Sequence, residues 1–502
     1  MVKAATTTRE IVRTARRNAT AGRRMVRLSD QIAARYDAAQ TNSENQNHWG
    51  ATDALSARAA HSPSVRRILR VRARYEVANS PLAQSIVKRK ADFVVGTGPR
   101  LQIKTRDREF NRFVEAEFIR WSIATRFARK LWQMCFCKPM NGEALAIFFT
   151  NPSLRHRVKL DLRTIETDQL ANPRAGFDDN GSDGVIFDDF GNPAGYTILR
   201  QHPGDLFMRG LMPNDYDTYR ADDVLHWFDA DRPGQIRGVP QITPSLGLFA
   251  MRRRYLNAVV AAAETAADLA VLLKTQAPPE TDDNAAAAEP FDLLDIVQRQ
   301  MMVLPEGMDA TAFKGDQPQT TLDMFDAVLI REIARCMNMP YGIAAGDSSS
   351  YNFASGKLDH LPWFKTVAIE QDAIEDTIAN PTFDRWYAEA RRISGYLPMS
   401  LTGDDETPPH QWFWDGQDLL DPREAGAKAT GLSSGFETHG RLFARRGEDP
   451  IEQWEAEAEL LGISLDEYRE KVIAQVFTKS GDSTQAPADS PANPEDSPDA
   501  NQ

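Results

Sequence analysis

The stretch Asp231-Arg-Pro-Gly-Gln-Ile-Arg-Gly-Val-Pro240 lies directly before a long alanine-rich segment that runs from about Pro244 to Lys274. Proline cannot donate a backbone hydrogen bond and glycine readily adopts turn conformations, so this stretch predicts a turn of the chain. Thr243 is placed to cap the helix that follows, and Pro244 suits its first turn. The sequence therefore predicts a turn that leads straight into a long helix.

The predicted helix from Pro244 to Lys274 is rich in alanine, the best helix former, and has no Pro or Gly after Gly247. At about 1.5 Å of rise per residue it would extend roughly 45 Å. Its polar side chains fall on one narrow line, which we call the polar stripe: Arg253, Asn257, Glu264 and Asp268. Such a helix suits close packing against several other helices. From this segment alone, a buried core helix of one large domain is an equal alternative.

Several short motifs around this turn resemble the lambda-type family of tailed-phage portal proteins. Those nearest the helix are Leu225-His-Trp-Phe228, Arg232-Pro-Gly-Gln235 and Arg237-Gly-Val-Pro240. Earlier in the chain, and in the same order as in the family, come Arg72-Ala-Arg74, Asn79-Ser-Pro81 and Val94-Val-Gly-Thr-Gly98. The closing region matches through Trp412-Phe-Trp414, Asp421-Pro-Arg-Glu-Ala425, Gly431-Leu-Ser-Ser-Gly435 and Arg445-Arg-Gly-Glu-Asp-Pro450. The joint order of these motifs is more specific than any one of them.

The resemblance implies an α+β portal fold that assembles as a ring oligomer. Its parts would be a wing of mixed helices and strands, a two-helix stem, a small clip, a long helix with a tunnel loop, and a helical crown. Along this sequence we assign a basic arm (1–60), the wing (61–243), the stem helix (244–274), the clip (275–318), the second stem helix (319–338), the tunnel loop (339–357), the long helix and wing return (358–415), the crown (416–478) and a disordered tail (479–502).

Composition limits the possible functions. The chain has 502 residues and a formal net charge of −12, which argues against a protein that wraps nucleic acid by neutralising phosphates. An acidic balance is compatible with a channel through which DNA slides. Only three cysteines are present, too few for a disulfide framework, and no apolar run approaches a membrane span. Neither a cofactor nor a metal site is expected.

Local patterns predict the wing in more detail. Asn79-Ser-Pro81 should separate two helices, and Gly96-Thr-Gly98 should form a tight turn, because a dinucleotide loop would need a third glycine and a preceding strand. Strands are predicted after Gly142 and around Leu160, and a hairpin is predicted about the Gly191-Asn-Pro193 turn.

Three carboxylates in the wing leave an alternative function open. Glu143, Glu166 and Asp168 could serve a metal-dependent DNA nuclease, but no Lys or His stands at a motif spacing from them. No phosphate-binding loop of the Gly-x4-Gly-Lys-Ser/Thr type occurs, so an ATPase that drives DNA would be a separate protein. The third hypothesis for the function is a neck or baseplate protein that forms rings without conducting DNA.

After the second stem helix the sequence becomes small, polar and glycine-rich, and we predict a mobile loop there. The family pattern of an Asp and Ser followed by Asn-Tyr-Ser-Ser-x-Arg is partly kept, with Phe353, Ala354 and Lys357 as substitutions. The resemblance places a channel-narrowing tunnel loop here, with these candidate DNA-facing residues: Asp347, Ser348, Ser349, Ser350, Tyr351, Asn352 and Lys357. The alternative is an ordinary solvated loop whose Ser and Asn residues cap a helix.

The partners that the resemblance implies are further copies of the chain, most simply as a dodecamer, and double-stranded viral DNA bound without sequence preference. The large terminase subunit would dock on the clip during packaging, and head-completion or tail connector proteins would replace it. Major capsid and scaffold proteins would surround the ring, and no membrane is involved. The expected location is the portal vertex of the virion, after assembly in the host cytoplasm.

Overall fold

The computed structural model describes residues 53–171, 181–208, 215–267, 271–275, 308–312, 319–349, 351–398, 407–416, 428, 430–432, 434–445 and 447–479. The chain divides into two compact units, residues 1–60 and residues 61–502. In the first unit the structure describes one short helix, α1 (Ala57–Ala60). Most of the predicted basic arm lies outside the described residues. All remaining elements belong to the second unit.

The second unit begins with two helices, α2 (Pro63–Asn79) and α3 (Pro81–Val95), separated by Ser80. Ser80 accepts a hydrogen bond from the Ala83 N–H at 3.4 Å, and Pro81 occupies the first turn of α3, where its missing N–H is harmless. Helix α3 ends at Gly96, which has a φ of 52°. The predicted break and the predicted tight turn are both confirmed.

Helices α4 (Arg108–Thr125) and α5 (Phe127–Asn141) follow a short strand, β1 (Arg100–Ile103). Strand β1 pairs antiparallel with the much later β11 (His410–Phe413), so the closing region returns to the start of the wing. Aromatic rings hold this return in place: Phe118 of α4 lies between 5.3 and 5.7 Å from the rings of Trp121, Phe383, Trp386 and Trp412. These rings form the centre of the main hydrophobic core.

The wing contains two further antiparallel sheets. Strand β2 (Glu143–Thr150) lies between β3 (Leu160–Ile165) and β8 (Val224–Phe228). The second sheet has the order β4 (Gly181–Ser182), β5 (Val185–Phe187), β6 (Pro193–Leu199) and β7 (Tyr216–Arg220), with a short helix α6 (Pro203–Met208) before β7. The predicted strands and the hairpin are confirmed.

The long helix is shorter than predicted. Thr243–Ser245 form a 3₁₀ turn whose N-cap position is held by Ile242, without a side-chain hydrogen bond, so Thr243 is not the cap, and helix α7 runs from Leu246 to Ala267. The expectation of helix up to Lys274 is wrong, because β9 (Val271–Thr275) pairs antiparallel with β10 (Met308–Ala312). The apolar run in β9 suits a strand, and its hydrogen-bonding partner lies far along the chain, where local helix propensity carries no information. The remainder of the predicted clip lies outside the described residues.

The second stem helix, α8 (Gln319–Arg335), ends three residues before the predicted boundary. Asn338 adopts a positive φ of 53°, a conformation that asparagine tolerates and that commonly ends helices. The chain therefore leaves the helix before reaching Pro340.

The segment predicted as one tunnel loop over residues 339–357 contains two helical pieces. Helix α9 (Tyr341–Ala345) is buried at Ile343 and Ala344, so this part packs into the core instead of remaining mobile. Helix α10 (Phe353–Ile374) starts right after Asn352 and continues through Pro362, so the proline neither delays its start nor ends it. A π-helical turn at Glu375–Ala379 joins α10 to α11 (Asn380–Arg392).

The described C-terminal elements are helical, as predicted for the crown: α12 (His439–Arg445), α13 (Pro450–Leu461) and α14 (Leu465–Lys479). Asp449 caps α13 by accepting the Ile451 N–H at 2.8 Å, and Gly462 at a φ of 67° ends it. The Asp421–Ala425 motif and the predicted disordered tail beyond Lys479 lie outside the described residues.

Candidate functional site

The turn before α7 is fixed by a buried ion cluster. The fully buried Glu143, at the start of β2, accepts hydrogen bonds from Arg237 Nε at 2.8 Å and from the Gly238 N–H at 3.2 Å. Arg237 also donates to the carbonyl oxygen of Leu170 at 3.0 Å. His226 Nε2 of β8 lies 3.0 Å from the same Glu143 oxygen, Oε2. Two motifs that looked separate in the sequence, Leu225–Phe228 and Arg237–Pro240, therefore meet at one carboxylate.

The charge state of Glu143 follows from these contacts. Burial alone would raise the pKa of its carboxyl, but Arg237 and the His226 hydrogen bond lower that pKa well below its usual value. Burial lowers the pKa of His226 despite its glutamate partner, so the imidazole is neutral at pH 7. An ionised carboxylate whose lone pairs are already occupied holds the chain in place and has no free atom for catalysis.

The other two carboxylates of the nuclease alternative meet a histidine that the sequence analysis missed. Glu166, Asp168 and His202 place possible ligand atoms within 4.8 Å of one another. However, Arg74 Nη2 lies 2.6 Å from Asp168 Oδ2, and Arg70 Nη1 lies 2.8 Å from Asp168 Oδ1. These two guanidinium groups supply, beside Asp168, the positive charge that a divalent cation would otherwise supply. His202 lies more than 30 residues after Glu166 and Asp168 in the chain, so no local spacing reveals the trio.

The two predicted stem helices are joined along the first half of α7. Arg252 of α7 forms a two-pronged ion pair with Asp326 of α8, at 2.6 and 2.8 Å. Below it, the Ser245 hydroxyl donates to the Ile333 carbonyl at 3.0 Å. Above it, the ring of Tyr255 packs on Phe325 with centroids 4.7 Å apart. The helices therefore form one unit, as a two-helix stem requires.

The polar stripe of α7 has two different environments. Arg253 pairs with Glu76 of α2 at 2.8 and 3.0 Å and so ties the stem to the wing. Asn257 and Glu264, further along α7, are exposed. Asp268 lies outside the described residues. The alternative of a helix buried on all sides does not hold, since Met251 and Val260 are also more than half exposed.

The short connection between α9 and α10, residues 346–352, is held by local hydrogen bonds. Asp347 accepts the Ser349 N–H at 2.9 Å, and the Tyr351 hydroxyl donates to Asp359 at 2.6 Å. Asn352 accepts the Ser355 N–H at 2.8 Å, while the Ser355 hydroxyl lies 3.1 Å from the Asn352 N–H. This reciprocal pair caps α10, as the solvated-loop alternative proposed.

The predicted tunnel-loop residues therefore divide between the connection and the helix. Asp347, Ser348, Ser349 and Asn352 are exposed in the connection, and Tyr351 is partly buried. Ser350 lies outside the described residues. Lys357 is exposed on the second turn of α10, not in a loop.

Helix α10 is anchored by a buried charge cluster that the sequence analysis did not identify. Glu370 lies 2.7 Å from the ammonium of Lys90 in α3 and 2.8 Å from that of Lys138 in α5. Lys138 additionally pairs with Asp229 at 2.8 Å and lies over the ring of Trp227, 4.2 Å from its centroid. Burial raises the pKa of Glu370, but the two lysines outweigh it and lower the pKa to about 2. Each residue alone resembles an ordinary surface charge in the sequence, so only the fold identifies the cluster.

Comparison with known proteins shows the class of this molecule. The pattern of the family described as phage portal protein, lambda family, matches residues 43–371, which include the wing, the stem and most of α10. The chain belongs to the lambda family of phage portal proteins.

A curated relative and several solved structures are also similar. The probable portal protein of Halomonas phage phiHAP-1 is 26% identical over 412 residues, covering 76% of this chain and 77% of the relative. A chain from the virion of a native gene transfer agent particle is 14% identical, with a TM-score of 0.45 and coverage of 76% and 94%. An HK97-family phage portal protein from Corynebacterium diphtheriae is 13% identical, with a TM-score of 0.32 and coverage of 62% and 90%.

In the part of the chain that the structure describes, no helix combines the length and the apolar character that crossing a membrane requires.

Proposed function

We propose that this portal protein assembles as a ring, most simply a dodecamer, at one vertex of a phage capsid, and that double-stranded viral DNA enters and leaves through the axial channel. The family match over residues 43–371 carries the proposal. The conduit would be a structural part without catalytic chemistry, and the arrangement of Glu143 and Asp168 supports that role because arginines already occupy both carboxylates.

The stem supports the proposal through its shape and its connections. Helices α7 and α8 are joined by the Arg252–Asp326 ion pair, and Arg253 ties them to α2 of the wing. Together these two ion pairs hold the stem to the wing at one end of α7. In the proposed ring, the stems would surround the DNA, and Asn257 and Glu264 of the polar stripe would remain in water.

The start of α10 is the proposed DNA contact. Asp347, Ser348, Ser349 and Asn352 form an exposed polar surface, and Lys357 is exposed one turn into the helix. Under ring symmetry one lysine per subunit becomes a circle of positive charge, which touches phosphates without reading bases. This circle would hinder back-slippage of packaged DNA while permitting it to slide.

The proposed partners follow from the same assignment. The large terminase subunit would dock on the clip, whose described part is the β9–β10 pair, and would supply the ATP-driven movement. Head-completion or tail connector proteins would replace it, and capsid and scaffold proteins would contact the outer surface. The protein would be located in the virion after assembly in the host cytoplasm.

Electron microscopy of the purified full chain tests the ring directly. We expect rings of about twelve subunits with an axial hole wide enough for duplex DNA, about 20 Å or more, given that its major groove alone is about 12 Å wide. A chain that stays monomeric or dimeric, both alone and with its scaffold protein, contradicts the proposal.

The DNA contact has its own test in phage that carry Lys357→Ala together with a shortened 347–352 connection. We expect normal rings and normal DNA entry but loss of packaged DNA from the head. A matched phage with Lys365→Ala, a second exposed lysine of α10, serves as the control. Normal retention of DNA in the Lys357→Ala phage contradicts the proposed contact and leaves the ring itself intact.

A further inference from the structure

The tip of the β5–β6 hairpin presents an exposed aromatic residue on a rigid turn. Phe190 is 91% exposed. The turn is held by Asp188, whose carboxylate accepts the Phe190 N–H at 2.9 Å and the Asn192 N–H at 2.7 Å, and Gly191 adopts a φ of 85°. Asp188 and its neighbour Asp189 are both exposed. A large apolar ring on a preorganised turn, flanked by two negative charges, is suited to binding another protein surface.

Helix α2 carries a complementary surface, which we call the α2 stripe. Its exposed large apolar residues recur every three or four positions along one face: Val65, Ile68, Val71 and Tyr75. Arg67 and Arg72 flank the stripe and are exposed. The one acidic residue of α2, Glu76, is buried and paired with Arg253, so every charge on the exposed face is positive.

The two surfaces lie on different sides of the same subunit. Arg66, on the buried face of α2, pairs with Asp183 at the base of the hairpin. Because successive residues of an α-helix are about 100° apart, Ile68, Val71 and Tyr75 lie roughly 140–200° around α2 from Arg66. The hairpin sheet is therefore attached to one face of α2 and the stripe faces the opposite way. A tip and its own stripe cannot meet within one chain.

We propose that the hairpin tip of one subunit docks on the α2 stripe of the next, with Phe190 against Ile68 and Val71 and with Asp189 facing Arg67 and Arg72. This inference rests on the proposed ring. A contact between two different surfaces of a subunit can be repeated from each copy to the next. The resulting chain of subunits closes into a ring when a whole number of the rotations between neighbours adds up to a full turn. In this contact an apolar ring meets apolar side chains, and an acidic side chain meets basic ones.

The charges also discriminate between possible occupants of the α2 stripe. The first residues of this chain carry Lys3, Arg9, Arg13, Arg16 and Arg17 with few acids, so they would repel Arg67 and Arg72. The acidic hairpin tip attracts them. A second copy of the chain therefore fits the stripe better than the chain's own amino-terminal residues do.

Cross-linking between two variants tests the contact in assembled rings. Subunits with Asp189→Cys are co-assembled with subunits carrying Arg72→Cys, and a short bis-maleimide is added at pH 7. We expect linked dimers in the mixture and only background in either variant alone. The three native thiols should react slowly, because burial raises the pKa of Cys135 to about 12 and that of Cys137 to about 11, and it also raises the pKa of Cys336. Dimers that form equally in the single-variant samples overturn the proposal.

Charge reversal gives a second measurement that does not depend on cysteine chemistry. We expect Asp189→Arg, or Arg67→Glu with Arg72→Glu, to raise the subunit concentration for half-assembly about tenfold, and all three changes together to restore it. Matched controls are Asp384→Arg and Arg106→Glu, which reverse exposed charges away from both surfaces. Circular dichroism confirms that each variant is folded.

The outcomes separate this inference from the proposed function. If the wild-type protein forms rings and neither the three charge reversals nor Phe190→Ala changes ring assembly, the proposed contact is wrong. The proposed ring is then unaffected. Rings that form normally with Phe190→Ala but fail to enter capsids would assign the tip to the capsid protein instead, which also overturns the contact. If the wild-type chain never forms rings, both the proposed function and this inference are wrong.

Discussion

Glu143 keeps a full negative charge without contact with water, and three neighbouring groups make this possible. Arg237, Arg70 and His226 surround it, and the Gly238 N–H completes its hydrogen bonding. Because the partners come from α2, β8 and the turn before α7, a single carboxylate joins three elements. Removing one member of such a cluster leaves the others buried and uncompensated.

We expect Glu143→Gln to destabilise the protein by about 3–5 kcal/mol, the usual effect of breaking a buried ion pair. Thermal unfolding followed by circular dichroism measures the change, with Glu264→Gln on the exposed side of α7 as the control. A melting temperature equal to that of the control would show that the cluster contributes no stability.

The stability of the protein should depend on pH in part through the ionisation of Glu370. Its pKa is lowered to about 2 in the folded state, against about 4.3 in the unfolded chain. Its contribution is therefore complete above about pH 4.3 and is lost as the pH falls toward 2. We expect Glu370→Gln to reduce stability at pH 6 and to flatten the decline between pH 4.5 and pH 2, measured by urea unfolding at each pH. An unchanged slope would contradict the assignment of the low pKa to the Lys90 and Lys138 contacts.

At the scale of elements, the start of α10 depends on one cap. Asn352→Ala removes the acceptor of the Ser355 N–H, which we expect to weaken the first turn by about 1 kcal/mol. Hydrogen exchange of the amides of residues 354–356 should accelerate several-fold, while exchange near Trp363 in the buried middle of the helix should not change. Ser348→Ala, in the same connection but not capping the helix, is the matched control. Equal exchange rates in both variants would mean that packing alone fixes the helix start.

The stem pair offers a charge-swap experiment on two elements. Arg252→Glu should separate α7 from α8 locally, because Asp326 would then face a like charge, and we expect a loss of about 2–3 kcal/mol. Adding Asp326→Arg should recover much of it. Denaturant unfolding measures the stability of both variants. A double variant that does not recover stability would show that the geometry of the pair matters and its charge does not.

How far local sequence predicts an element depends on where its partners lie. The Ser80 break and the β5–β6 hairpin were predicted correctly because their capping and turn residues are neighbours in sequence. The prediction for the last turn of the stem helix, up to Lys274, was wrong because Val271–Thr275 pairs with Met308–Ala312, a contact that local propensity does not include. The predicted tunnel loop was too long for a similar reason, since Ile343 and Ala344 are buried by tertiary packing.

At the scale of the whole molecule, the portal assignment and the nuclease alternative predict different behaviour toward DNA. We expect the purified protein to leave supercoiled plasmid intact in Mg²⁺ or Mn²⁺, because Arg70 and Arg74 already neutralise Asp168. Agarose gel electrophoresis measures plasmid cleavage, with the Glu166→Gln variant and an EDTA-treated sample run in parallel. Metal-dependent cleavage that Glu166→Gln abolishes would favour the nuclease.

The sequence by itself identified the family through the order of its short motifs. It also predicted the helix break at Ser80 and the β5–β6 hairpin, because a cap and a turn depend on residues close together in the chain. Only the tertiary structure decided which charges are buried together: Glu143 with Arg237, Glu370 with Lys90 and Lys138, and Asp168 with Arg74. It also placed the hairpin tip and the α2 stripe on different sides of one subunit. The physical reason is that the energy of a charge depends on its distance from water and from other charges, and folding sets both distances.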